Sequence, residues 1–276
     1  MNDANIKTTR RIKNKIKNKK LISTILAMTI IMITVAITSV EMKTSVNLYR
    51  DAIIIDGLSN DIPNPKLIDK TKLLLESAGF NVTVITADNL TINTYKWVLE
   101  AGFKIIIMRV HGAIIPDQDI VGLFANERYN ESLYVKEREK GLVGVGRPYI
   151  DPSRELFVIG PKFIEKYGNL RGSIVIVFSC YSGYGDSLKK AFLNAGAKAY
   201  IGWDGPVDAI TNDYAMEKLI TGLFNHNFTI DQAITDTMNS VIFELKNKYV
   251  YSEPIPKLTY SPQNIGDLNV NDIINN

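Results

Sequence analysis

Two residues in this chain have the chemistry of a nucleophile and its base. The only cysteine, Cys180, lies in the turn SCYSG (residues 179–183), which directly follows the apolar run 174–178. His111, one of only two histidines, directly follows the apolar run 103–110. A thiol attacks as its thiolate, and a nearby imidazole can take its proton or protonate a leaving group. If the two runs are neighbouring strands, His111 and Cys180 form a catalytic dyad.

Gly112 adds a feature that a histidine–cysteine pair alone would lack. Because glycine has no Cβ, a main chain at this position can approach a substrate closely. Its N–H, together with the N–H of Cys180, is positioned to hold an oxyanion. The pattern therefore predicts nucleophilic attack on a carbonyl carbon.

The elements that must position these residues alternate between strand and helix. Apolar or β-branched runs predict strands at residues 52–56, 81–86, 103–110 and 174–178 and in the run ending at Trp203. Helices are predicted from Pro65, near residues 94–100 and at 187–194. This alternation predicts an α/β fold with a doubly wound, mostly parallel sheet, in which reactive groups follow the strand ends.

Residues 114–172 interrupt that alternation. The segment is first charged and then rich in glycine and proline, with a strand predicted at 155–159 and a helix at 161–167. We interpret it as an insertion that contains a hairpin. Long insertions at the active end of a sheet are often binding loops or lids, whereas the charged residues 136–140 are typical of a solvated surface.

The α/β domain is predicted to span residues 50–247. Helical periodicity continues at 213–224 and 230–246, with His226 in the turn between them as a surface residue. Residues 248–276 include Pro254, Pro256 and Pro262 and are predicted to be an irregular tail.

The two motifs resemble those of a known clan. A strand followed by His111-Gly112, and a strand followed by the turn 179–183, resemble the caspase–metacaspase–gingipain–legumain clan of cysteine peptidases. The continuation AFLNAGAKAYIGWDGPV (191–207) is similar to gingipain and separase-like members, and the resemblance covers about residues 52–238. It implies a caspase–haemoglobinase-like, three-layer α/β/α fold. It also implies His111 as the catalytic base and acid, Cys180 as the nucleophile, and the N–H groups of Gly112 and Cys180 as the oxyanion hole.

The chain departs from the clan around the cysteine, so its substrate preference does not carry over. Phe178 stands where metacaspases have an aspartate that helps to accept a basic P1 side chain, and Tyr181 stands where relatives often have His or Glu. Asp204 is a candidate acid for a basic P1 pocket, with Trp203 as its wall, or else a loop or capping residue. The candidate pocket residues are Phe178, Ser179, Trp203 and Asp204.

The N-terminal forty residues have a different character. Residues 1–20 carry eight basic groups and one acid, and residues 21–40 contain no charge. A predominantly apolar helix of twenty residues matches a bilayer core of about 30 Å, and the basic flank predicts a cytoplasmic head with the remainder outside. We predict an uncleaved signal-anchor, with a cleaved signal peptide and secretion as the alternative.

Charge and ligand composition exclude other classes of function. Of the 32 basic and 29 acidic residues, 24 and 28 lie beyond the head, so residues 21–276 carry net −4 and give no case for nucleic acid. One cysteine and two histidines 115 residues apart offer no metal-ligand spacing, so we predict neither metal nor cofactor. Four glycosylation sequons, which would be used only on the outer side, begin at Asn81, Asn89, Asn130 and Asn227.

Three functions are compatible with these patterns. The first is a membrane-anchored cysteine endopeptidase that acts on a peptide or protein substrate through an acyl-thioester. The second is a catalytically inactive caspase-like surface module that acts in binding or adhesion. The third treats residues 179–185 as a phosphate-cradling loop before a helix, as in flavodoxin-like proteins, which would leave His111-Gly112 unexplained.

Overall fold

The computed structural model describes residues 50–115, 120–248 and 255–275. Its ten strands in those ranges are β1 (Asp51–Asp56), β2 (Asn81–Thr86), β3 (Ile105–Arg109), β4 (Gly112–Ile115), β5 (Ile120–Arg128), β6 (Val143–Gly146), β7 (Leu156–Ile159), β8 (Ile174–Phe178), β9 (Ala199–Trp203) and β10 (Leu258–Ser261). Its helices there are α1 (Pro65–Ser77), α2 (Ile92–Glu100), α3 (Val135–Glu139), α4 (Pro161–Tyr167), α5 (Ser187–Asn194), α6 (Ala209–Phe224), α7 (Ile230–Lys248) and α8 (Val270–Asn275).

Six strands form the main sheet in the order β2-β1-β3-β8-β9-β10. The first five pair in parallel, and β10 pairs antiparallel to β9. Strands β3, β8 and β9 are buried throughout, as their continuous apolar runs predict for a sheet covered on both faces. The predicted mostly parallel sheet is therefore confirmed.

Helices cover both faces of this sheet. One face packs against α1, α6, α7 and α8, and its core includes Leu75, Leu219 and Ile273. The other face packs against α2, α4 and α5, with Val98 and Phe192 in its core. Two apolar layers separated by one sheet make the fold a three-layer α/β/α sandwich, as predicted.

The insertion is more ordered than predicted. It forms a second sheet of four antiparallel strands in the order β4-β5-β7-β6, where a single hairpin was expected. The reason lies in β5, whose residues Leu123, Phe124 and Ala125 are buried although the strand ends in the polar sequence Asn126–Arg128. Because β4 begins at Gly112, this second sheet starts immediately after His111.

The prediction of an irregular tail is wrong for residues 258–275. They supply β10, which closes the edge of the main sheet, and helix α8. Leu258, Ile265, Val270 and Ile273 become buried, and this gain of apolar contact outweighs the turn-forming tendency of the prolines around them. Pro256 and Pro262 flank the strand and leave its interior free to pair.

Among the described residues no helix has the length and apolarity required to cross a bilayer. The predicted cytoplasmic head 1–20 and membrane span 21–40 lie outside the described residues.

Candidate active site

The ends of β3 and β8 bring the two candidate catalytic residues to one edge of the sheet. The strands are parallel neighbours, and Arg109 at the end of β3 is in register with Phe178 at the end of β8. His111 and Cys180 each lie two residues beyond those partners. The Val110 N–H donates to the Phe178 carbonyl at 3.3 Å, so the alignment continues past the last strand residue.

Gly112 packs directly against the cysteine turn. A Cβ built on Gly112 would overlap Ser179 Oγ and would lie 2.6 Å from the main-chain oxygen of Cys180. No side chain fits in that space, because real Cβ atoms do not approach other atoms so closely. Gly112, which was predicted to allow close approach to a substrate, is therefore required first for the approach of His111-Gly112 to the turn 179–183.

Replacing Gly112 with alanine should disrupt this contact. We expect the unfolding free energy to fall by about 1–3 kcal/mol, because the added methyl overpacks against main chain that cannot easily yield. Displacement of Cys180 relative to His111 should also slow its reaction with a peptide electrophile, by roughly tenfold or more.

Denaturant unfolding and labelling kinetics measure both effects. Gly144→Ala in β6 is the matched control, because the nearest atom to its added Cβ is 3.9 Å away. Equal stability and labelling in the two variants would contradict the tight contact at Gly112.

Two other residues of the turn 179–183 hold its shape. The buried Ser182 hydroxyl contacts the carbonyl oxygens of Val177 at 2.7 Å and Ser179 at 2.8 Å, and it accepts a hydrogen bond from the Trp203 N–H at 3.0 Å. A Cβ on Gly183 would lie 2.6 Å from the Gly202 carbonyl oxygen. The serine and glycine of the motif thus lock the turn to β9, which explains why these residue types accompany the cysteine.

The Cys180 thiol is half-buried and contacts one residue of the loop after β9. Its Sγ donates to the Val207 carbonyl at 3.3 Å, and the Val207 N–H donates back to Sγ at 3.5 Å. Tyr181 follows in the left-handed region at φ 61°, with its N–H bonded to the Gly205 carbonyl at 2.9 Å. This conformation turns the chain sharply after Cys180 at a local cost of about 1 kcal/mol.

One main-chain donor at the turn points to an oxyanion site. Within the described ranges the Cys180 N–H donates to no protein acceptor, although the following N–H groups of Tyr181 and Ser182 are both bonded. An N–H without a protein partner beside the nucleophile is what an oxyanion hole requires. The Gly112 N–H remains the predicted second donor.

His111 is held by an acid that the sequence analysis did not identify. Its Nε2 lies 2.9 Å from Oδ2 of Asp61, in the loop after β1. The same Oδ2 accepts a hydrogen bond at 2.7 Å from Nη2 of Arg154, in the loop before β7. Asp61 therefore connects the histidine to the insertion.

These contacts change the pKa values of both groups. Burial lowers the pKa of His111 and outweighs the opposing effect of Asp61, while the positive charges of Arg154 and Arg109 lower it further. Partial burial would raise the pKa of Asp61, but the hydrogen bonds from Arg154 and His111 outweigh burial and lower it. At neutral pH the site therefore favours a neutral imidazole, which can accept a proton, beside a charged carboxylate.

A second, deeper ion network supports the same loop. Arg109 is fully buried; its Nε and Nη2 donate to the two carboxylate oxygens of Asp213 at 2.6 and 2.8 Å, and its Nη1 donates to Asp56 at 2.7 Å. Nη2 also donates to the Ile62 carbonyl at 2.8 Å, next to Asp61. The signal in the sequence was an arginine at the end of the apolar run 103–110.

The candidate pocket residues require correction. Phe178 and Trp203 are fully buried in the core, and Trp203 Nε1 donates to Asn212 at 2.9 Å, so neither side chain has surface for a substrate. Asp204 Oδ1 accepts the Lys257 N–H at 2.6 Å, which makes it part of the main-chain pairing near β10. Ser179 is the one that stays at the site, buried against Gly112.

The described residues contain no group of three or more His, Cys, Asp and Glu side chains arranged to hold a metal ion. This edge of the sheet brings together a thiol, an imidazole, a carboxylate and main-chain N–H donors.

Comparisons with known proteins give structural matches only. No family model matches the sequence, and no curated protein matches it. Gingipain R, an Arg-specific cysteine proteinase, matches with 13% identity and a TM-score of 0.46 over 71% of this chain and 42% of its own. The complex of Porphyromonas gingivalis RgpB pro- and mature domains matches with 13% identity and a TM-score of 0.45, over 72% and 44%.

The Drosophila initiator caspase Dronc matches with 11% identity and a TM-score of 0.47, over 82% of this chain and 85% of its own. This chain spans less than half the length of the gingipain chains. Among the solved structures that match are a gingipain and a caspase, two kinds of peptidase that the sequence motifs resemble.

Proposed function

We propose that this chain is a cysteine-type endopeptidase that uses His111 and Cys180. The observation that carries the proposal is the packing of Gly112 on Ser179 and Cys180, because it joins the histidine segment to the nucleophile turn with no space between them. The sheet register supplies the same juxtaposition independently. A histidine and a cysteine brought together at the carboxyl edge of a parallel sheet suit acyl transfer.

The reaction begins with removal of the Cys180 proton by His111. The sulfur attacks the peptide carbonyl carbon, and the carbonyl oxygen becomes an oxyanion that the N–H groups of Cys180 and Gly112 stabilise. His111 then gives its proton to the amide nitrogen as the C–N bond breaks, so the amine leaves and an acyl-thioester remains. Water, deprotonated by His111, hydrolyses the thioester and restores the thiol.

Asp61 contributes to this cycle through His111. Its hydrogen bond to Nε2 fixes the ring and favours the imidazolium that forms after proton transfer. In nucleophilic catalysis a carboxylate commonly orients the catalytic imidazole through a hydrogen bond. The hydrogen bond between Cys180 Sγ and the Val207 carbonyl must break during attack, because the sulfur then bonds to the carbonyl carbon of the substrate.

Localisation belongs to the same proposal. The basic head 1–20 and the uncharged segment 21–40 would anchor the chain with the peptidase domain outside the cell, where peptides or proteins are its substrates. Cleavage of that segment would instead give a secreted enzyme.

The test is labelling of the full chain by peptidyl acyloxymethyl ketones with Arg, Asp, Asn or Leu at P1. We expect at least one probe to form an adduct at Cys180 in the wild type, detected by mass spectrometry, and no adduct in Cys180→Ala. Iodoacetamide measures the accessibility of the sulfur independently of peptide recognition. Alkylation by iodoacetamide without labelling by any peptidyl probe would reject the peptidase and support the non-catalytic surface module.

A further inference from the structure

One charged side chain of the insertion bonds to the acid that holds the proposed catalytic histidine. Arg154 lies just before β7, and its Nη2 donates to Asp61 Oδ2 at 2.7 Å, the oxygen that also binds His111 Nε2 at 2.9 Å. All three side chains are largely buried, with exposed fractions of 15% for Arg154, 12% for Asp61 and 20% for His111. Charge-assisted bonds in such partly buried surroundings are stronger and more directional than surface pairs.

A comparison with Arg109 shows what Arg154 is placed to do. Arg109 uses Nε, Nη1 and Nη2 in hydrogen bonds, as a buried guanidinium must when its role is to hold the fold together. The buried Nε of Arg154 has no hydrogen-bond partner among the described residues, although Asp151 Oδ2 lies 3.2 Å away. Arg154 therefore leaves its Nε–H without a hydrogen bond, while its Nη2 donates to Asp61.

We propose that Arg154 is a positioning residue for the His111–Cys180 reaction and acts through Asp61. This inference rests on the proposed peptidase chemistry. Arg154 fixes the carboxylate that orients the imidazole, and it limits how strongly that carboxylate stabilises the imidazolium. The insertion thereby sets the proton affinity of the catalytic base from outside the main sheet.

The charges around His111 determine the direction of the effect. Asp61 favours the protonated imidazole, whereas Arg154 and Arg109 disfavour it. The two arginines also pair with further carboxylates: Arg154 with Asp151, and Arg109 with Asp56 and Asp213. Removing Arg154 removes one positive charge and leaves Asp61 Oδ2 to His111 alone, and both changes raise the proton affinity of the imidazole.

The experiment measures the His111 titration midpoint in the full chain by hydrogen–deuterium exchange at the imidazole Cε1, read by mass spectrometry. In Arg154→Ala we expect the midpoint to rise by about one pH unit, and in Arg154→Lys to stay near the wild-type value. In Asp61→Asn we expect the His111 midpoint to fall. When Arg154→Ala is added to Asp61→Asn, the resulting shift of the midpoint should be less than half the shift that Arg154→Ala causes in the wild type. The exposed His226 lies in the turn between α6 and α7 and is an internal reference for the exchange measurement.

Arg147→Ala is the matched control, because Arg147 lies in the same loop but pairs with Glu155 at the surface. If the His111 midpoint in Arg154→Ala equals that in Arg147→Ala, the inference is overturned and Arg154 has a structural role only. If Arg154→Ala does not fold, Arg154→Gln is measured in its place. An equal shift in the presence and absence of Asp61 would also overturn it. Because the titration does not require turnover, absence of peptidyl-probe labelling rejects the proposed function separately.

Discussion

Replacing His111 with alanine should slow acylation of Cys180 by a peptide ester by about 10²–10⁴-fold, the usual contribution of a general base. The reason is that attack requires the thiolate, and the alkoxide that leaves the ester requires a proton; His111 supplies both transfers at one position beside the turn 179–183. Alkylation by iodoacetamide expels iodide, which needs no proton, so this reaction should retain more of its rate. Stopped-flow kinetics with a peptide ester and mass spectrometry of the adduct measure the two reactions.

The chain supplies its own control for this experiment. His226 is the only other histidine; it is exposed in the turn between α6 and α7, so His226→Ala should react like the wild type. Circular dichroism of both variants separates loss of the base from loss of the fold. Equal acylation rates in the His111 and His226 variants would exclude His111 from the catalytic step.

Replacing Arg109 with alanine should have the largest effect on stability, a loss of about 3–5 kcal/mol from the free energy of unfolding. The substitution leaves the carboxylates of Asp56 and Asp213 without their shared cation, and Asp56 is already a buried acid whose pKa is raised by desolvation against the opposing charge of Arg109. It also removes the hydrogen bond to the Ile62 carbonyl, which holds the loop that carries Asp61. Urea unfolding of the full chain measures the loss.

A surface ion pair of similar length provides the comparison. Lys70 and Glu217 approach to 2.6 Å, but their side chains are 48% and 46% exposed, so Lys70→Ala should cost less than about 1 kcal/mol. Arg109→Lys keeps the charge but loses the forked hydrogen-bonding geometry of the guanidinium, so its loss of unfolding free energy should lie between those of Lys70→Ala and Arg109→Ala. It replaces Arg109→Ala in the comparison if the alanine variant does not fold. A loss for Arg109→Ala no larger than that for Lys70→Ala would show that the buried network does not stabilise this fold.

Sequence patterns were sufficient for the five parallel strands of the main sheet and for the two motifs, but not for β10. Continuous apolar runs predicted β3, β8 and β9, because a strand that is buried on both faces needs apolar side chains at nearly every position. The adjacency of β3 and β8 followed from the chemistry of His111 and Cys180 rather than from either strand alone. Both strands end two residues before their catalytic candidate, so the position of the site was predictable.

The partners of His111 were not predictable, because they depend on contacts between segments distant in sequence. Asp61 lies 50 residues before the histidine and Arg154 lies 43 residues after it, and nothing in the composition of either loop distinguishes them from solvated charges. One signal was available: an acid soon after β1, a strand next to β3, must lie at the same edge as His111. Trp203 and Phe178 were misassigned because a strand end does not reveal which face of the sheet a side chain occupies.

The position of β10 has a consequence for the order of assembly. This strand closes the sheet beside β9, and Thr259 in it donates to the Gly202 carbonyl, against which Gly183 of the cysteine turn is packed. During synthesis the chain emerges from its N-terminal end, so β1 to β9 are available before β10. Until residues 258–261 emerge, β9 has an open edge and the turn that holds Cys180 lacks its outer support. A domain with the proposed peptidase activity would therefore be least able to cleave other chains while it is still being made.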